Sequence, residues 1–141
     1  MKTKMLLMLC LIMALFIAPL SAQNLQQGNL LGVHVINITL APNVTMEKFL
    51  DFYMNKYIPE YEKNFPGIKL YVIKGIRGEN ENTFGLLYAL KSTEVRDKYW
   101  PQKDVNSEVY QEGMKKLEAL VSERKKLATW TEVSQTDWII L

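Results

Sequence analysis

One cysteine and one histidine are all that the 141-residue chain holds of the two side chains most used for nucleophilic and metal chemistry. The cysteine, Cys10, lies inside an apolar N-terminal run, and everything after that run is free of thiols. Disulfides, thiolate catalysis and cysteine metal sites are therefore excluded from the main body of the protein. A single histidine, His34, leaves little material for a histidine-rich metal site or a Ser-His-Asp triad. No metal and no cofactor is expected.

An excess of charge is missing too. Lys2 and Lys4 precede an uninterrupted apolar run from Met5 to Ala18, and Pro19, Leu20, Ser21 and Ala22 supply a break and a small residue before Gln23. That is the layout of a secretory signal peptide cut near Ala22. The run is shorter than the roughly 18 to 20 residues of a membrane-spanning helix. Cys10 follows Leu9 and sits too early for a lipoprotein attachment site. An exported protein, periplasmic or secreted and free of the membrane after cleavage, is expected. Removing residues 1–22 takes Lys2 and Lys4 from the 17 basic residues and nothing from the 15 acidic ones, so the net charge falls from +2 to zero. The basic balance belongs to the export signal, and no nucleic-acid partner is expected.

What remains is ordered punctuation. Residues 23–30, "QNLQQGNL", read as a flexible leader, and 31–141 as a single domain without repeats or low-complexity tracts. Leu31 to Leu40 is β-favouring and ends at Ala41-Pro42, which predicts a first strand. Asn43 or Thr45 would cap a helix with Met46, Phe49, Leu50, Tyr53 and Tyr57 at helical spacing. Pro59 should kink or restart it, with a short turn through Asn64 before the "FPG" turn at 65–67. Two strands, Ile68 to Arg77 and Thr83 to Lys91, flank a solvated loop, "GENEN". Ser92 would cap a short helix ending at Trp100-Pro101, and Ser107 to Leu127 reads as one longer amphipathic helix. Trp130 to Leu141 is the last strand.

The predicted fold class is therefore α+β, a ferredoxin-like β-α-β-β-α-β domain. Its strands barely alternate. Ile36, Ile38 and Leu40 face one way while Val33 and Val35 face the other, and Phe84, Leu86, Tyr88 and Leu90 oppose Gly85, Leu87 and Ala89. Two helices cover one face of a four-stranded sheet, so an apolar second face calls for another cover. The simplest is the same sheet of a second copy, a homodimer closed through the sheet faces.

Three stretches carry a family likeness: "INITLAP" in the first strand, "FPGIKLYV" entering the second, and "LLYALKSTEVRDKYW" from the third strand into the short helix. Over about residues 33–141 the chain resembles the dimeric α/β-barrel superfamily, and within it the antibiotic-biosynthesis monooxygenase branch. The resemblance implies sheet-to-sheet dimers with a cavity between sheet and helices. It matches Asn37 to a pocket asparagine that holds substrate or bound oxygen, and Trp100, ahead of Tyr99, to a pocket aromatic. Heme-degrading members use a histidine further along the split helix. This chain reads "PQKDVNSEVYQEG" there, so heme degradation of that kind is not implied.

Taken as residues, Asn37 is an unusual mid-strand amide whose two donors and one acceptor suit ligand positioning, or simply a polar residue of the sheet margin. His34 suits proton transfer, yet no carboxylate stands near it in sequence to orient it, so it reads equally as a packed or rim histidine. Tyr71, Arg77 and Tyr88 are expected to meet across the central hairpin, where they would hold an aromatic or acidic ligand or serve as half-buried sheet residues. Trp100 is either a pocket wall or a core plug. The triplets at Asn37 and Asn43 fit the glycosylation pattern, and "GENEN" lacks the spacing and final glutamate of a calcium loop. Three functions fit: binding of a small hydrophobic or aromatic molecule, a cofactor-independent monooxygenase acting on a phenol or quinol, and a structural dimer without ligand.

Overall fold

The structure, a computed structural model, describes residues 24–141. The expected export signal over residues 1–22 lies outside the described residues. The chain is α+β. Strands β1 (Leu30–Leu40), β2 (Ile68–Lys74), β3 (Phe84–Leu90) and β4 (Ala128–Ile139) form one open antiparallel sheet in the order β2-β3-β1-β4. Helices α1 (Met46–Phe52) and α2 (Ile58–Asn64) follow β1, and α3 (Thr93–Tyr99), α4 (Glu108–Lys116) and α5 (Glu118–Leu127) lie between β3 and β4. Among the described residues no helix is long and apolar enough to cross a membrane. Residues 24–29 are tied to the sheet end, where Gly28 N–H donates to Ile140 and Asn29 Nδ2 donates to Lys91, each at 2.8 Å.

Local chemistry sets the helix boundaries. The hydroxyls of Thr45, Ser92 and Ser107 accept from the backbone N–H groups of Lys48, Val95 and Tyr110, and so cap α1, α3 and α4. Pro59 does not kink the chain out of the helix. Instead a π turn, Tyr53–Tyr57, joins α1 to α2 and ends with Ile58 N–H donating to the Tyr53 carbonyl. The residue without a donor thus falls at the first turn of α2, where a proline is tolerated. The helix expected over 107–127 is broken at Leu117, which is buried with φ −97° and ψ 2°. The second strand stops at Lys74 because Gly75 turns the chain, and a Cβ there would lie 1.8 Å from the Asn80 carbonyl oxygen.

Antiparallel partners point to the same face of a sheet, and that assigns both sides here. Leu30, Ile36 and Ile38 on β1 share their face with Leu86 and Leu90 on β3, Leu70 on β2 and Trp130 on β4. The helices pack on this side: Phe49 and Tyr53 set their rings 6.5 and 5.7 Å from that of Trp130. Tyr99, Phe49, Phe65 and Leu117 are fully buried in this layer. The opposite face carries Leu31, Val33 and Val35 of β1, Leu87 and Ala89 of β3, Tyr71 and Ile73 of β2 and Trp138 of β4. None of the described helices packs on it, and Tyr71 and Trp138 are 46% and 61% exposed.

Candidate functional site

The candidate site is an open cleft of about 1230 Å³ on the helix side of the sheet. Gly32 and His34 of β1, Tyr88 of β3, and Glu132 and Asp137 of β4 line its sheet side, with Trp100 and Tyr110 across from them. His34 is the chemical centre. Its Nδ1 lies 2.7 Å from Glu132 Oε2, with the side chains 20% and 47% exposed. A carboxylate that accepts this hydrogen bond favours, in a neutral imidazole, the tautomer with its proton on Nδ1 and the lone pair on Nε2.

A β-bulge brings these two residues together. The β1–β4 register pairs Val35 with Ser134 and Ile36 with Glu132, leaving Val133 without a partner. Such an extra residue flips the facing of everything beyond it. Here it turns Glu132 into the cleft beside His34 and leaves Val133 56% exposed. Three pairings beyond Val35–Ser134, Gly32 sits opposite Asp137, and the missing side chain makes room. A Cβ at Gly32 would lie 3.0 Å from Asp137 Oδ1 and 3.7 Å from His34 Nε2.

Aromatic rings make the wall. Tyr88 packs against His34 with centroids 4.8 Å apart, Trp100 meets Tyr88 at 6.3 Å and 84°, and Trp100 meets Tyr110 at 5.2 Å and 51°. Behind Tyr88 the π turn carries a column of phenols. Tyr53 stacks on Tyr57 at 4.9 Å, Tyr57 on Tyr61 at 6.2 Å, and Tyr61 on Phe65 at 4.4 Å. Burial pushes the Tyr57 hydroxyl up to about 12. Burial first, and then neighbouring phenols, push Tyr53, Tyr61 and Tyr88 well above the ordinary tyrosine value, and burial alone raises Tyr110. All five are neutral at physiological pH, so they offer O–H groups and π faces but no charge. The Tyr61 hydroxyl is buried with no hydrogen-bond partner among the described residues.

Of the residues singled out from sequence, His34, Tyr88 and Trp100 meet in this cleft. Asn37 does not join them: it is exposed, pairs with Thr131, and points to the opposite face of the sheet. Tyr71 sits opposite Leu87 on that face as well, and Arg77 lies in the exposed loop beyond β2, so neither meets Tyr88. Glu132, Asp137 and Tyr110 carried no local signal. Glu132 is 98 positions from His34, and only the bulge aligns the two. Among the described residues no three His, Cys, Asp or Glu side chains gather in a metal-holding group. No protein-family model, curated protein or solved structure matches the chain.

Proposed function

We propose that the chain is an exported ferredoxin-like protein that pairs sheet to sheet as a dimeric α/β barrel and binds a small aromatic molecule in the cleft over His34. The strand order β2-β3-β1-β4 and the apolar, uncovered second face support the architecture. One observation carries the function. Tyr88, Trp100, Tyr110 and His34, drawn from four separate segments, turn their rings into a single open cleft. Aromatic walls with a few placed polar groups are the usual make-up of a small-molecule site. Titrating the mature protein with a panel of small aromatic compounds should quench tryptophan fluorescence, and Trp100→Leu should abolish the change. A flat response across the panel would rule the reading out.

The His34–Glu132 contact favours a second reading, a cofactor-independent monooxygenase acting on a phenol or quinol. A histidine held in one tautomer by a carboxylate is equipped to take a proton from a substrate hydroxyl. The substrate would then supply the electrons that reduce oxygen. Oxygen uptake with an added quinol, lost in His34→Leu, is the expected result, and absence of uptake across a broad phenol panel excludes it.

A further inference from the structure

The cleft is not electrically neutral. Asp97, Asp104, Glu132 and Asp137 line it against two permanent cations, Arg96 and Lys103. Arg96 is already engaged, because its Nε and an Nη meet Asp97 Oδ1 at 2.9 and 2.8 Å. Glu132 has His34, but Asp137 has no ion-pair partner among the described residues. The two carboxylates on β4 therefore give the sheet side of the cleft a negative field.

Across from them stand electron-rich rings. Trp100 is inclined 51° to Tyr110 and 84° to Tyr88, so the three are tilted against one another rather than stacked face to face. Each is partly buried and lines the same space. The face of an aromatic ring carries the negative end of its quadrupole, and tilted rings around one volume attract a cation. Burial keeps the Tyr88 and Tyr110 hydroxyls protonated, which leaves the two rings as neutral walls.

We infer that the ligand of this cleft is a small organic cation, an aromatic amine or quaternary ammonium compound. Its charged nitrogen sits between the Tyr88, Trp100 and Tyr110 rings and the carboxylates of Glu132 and Asp137. The inference rests on the reading of the cleft as a small-molecule site and adds the sign of the ligand's charge. An anionic ligand would face the carboxylates of Asp97, Asp104, Glu132 and Asp137, with Lys103 the one permanent cation of the cleft that has no ion-pair partner among the described residues.

Two probes of one shape isolate the charge: (3-hydroxyphenyl)trimethylammonium, and 3-tert-butylphenol, in which carbon replaces the cationic nitrogen. Wild-type protein should bind the cation roughly tenfold or more tightly than its neutral twin, a preference that shrinks as salt screens the carboxylates. Asp137→Asn, an exposed and nearly isosteric change, should remove most of that preference. Trp100→Leu should weaken both. Equal binding of the two probes overturns the cation inference and leaves the aromatic-ligand reading standing. Binding of neither overturns both. A cation preference that survives Asp137→Asn and Trp100→Leu puts the cation elsewhere on the surface and overturns the inference.

Discussion

Tyr61 holds its hydroxyl in the core without a partner among the described residues, and burying a polar group unpaired costs about 1–3 kcal/mol. Tyr61→Phe keeps the ring that stacks on Phe65 and removes only the oxygen. It should stabilise the protein by about 1 kcal/mol in urea denaturation. A loss of stability would mean that the hydroxyl serves a bound group. Gly113 makes the opposite case. A Cβ there would lie 2.7 and 2.8 Å from two ring atoms of Phe65, which is fully buried between Tyr61, Tyr99 and Tyr110. Alanine gains about 1 kcal/mol of helix propensity, but overpacking costs about 1–3, so Gly113→Ala should come out destabilising by up to about 2 kcal/mol. Legibility at this scale was uneven. His34 was visible as a lone titratable group, and the parity of Asn37 relative to Ile36 was visible as well. Sequence parity does not say which face the helices cover, and that decides which of the two residues meets the cleft.

Elements were more legible than their joints. All four strands and their neighbouring helices follow from β-favouring runs, capping hydroxyls and helical spacing, with ends displaced by one to a few residues. The π turn was not legible, because Pro59 signals an interruption without saying which kind. Its effect is to keep Tyr53, Tyr57 and Tyr61 in one buried column, since the wider turn offsets the sideways drift of a regular i, i+4 row. That column sets the alkaline limit of the fold. A phenol whose folded value is raised holds its proton in the native state after the unfolded chain has released it. Its stabilisation is complete below the ordinary value of 10.0 and is lost as pH rises toward the folded one, about 12 for Tyr57. Each unit of difference is worth about 1.4 kcal/mol, and Tyr53, Tyr61 and Tyr88 shift in the same direction. Stability should therefore fall steeply above pH 10, with tyrosinate absorbance and loss of near-ultraviolet circular dichroism rising together. Ionisation of these phenols well before unfolding would show that the column is open to solvent. Tyr57→Phe should make the decline shallower.

At the scale of the whole molecule, the two sides of the sheet have different requirements. The helix side is covered by its own aromatic layer except at the cleft, whereas the other side leaves Leu31, Val33, Val35, Ile73, Leu87 and Ala89 without a covering element among the described residues. The sequence already displayed this two-sidedness, because apolar residues at both parities of a strand need no knowledge of tertiary contacts to be seen. An apolar patch of this kind on a small protein marks an interaction surface, and the same surface on a second copy is self-complementary about a two-fold axis. The mature protein should elute as a dimer at micromolar concentration. Leu87→Glu, placed centrally between Tyr71 and Val33, should shift it to a monomer by burying a charge at the interface. Within a single chain Leu87 is only half-buried, so the same change should cost the folded monomer little. A wild-type monomer at that concentration would refute the paired arrangement. Because the cleft opens on the helix side, away from the face proposed to pair, the Leu87→Glu monomer should retain the affinity of the wild type for the aromatic cation probe. Loss of binding together with loss of the dimer would instead locate the ligand between the two sheets and remove His34 and Trp100 from its recognition.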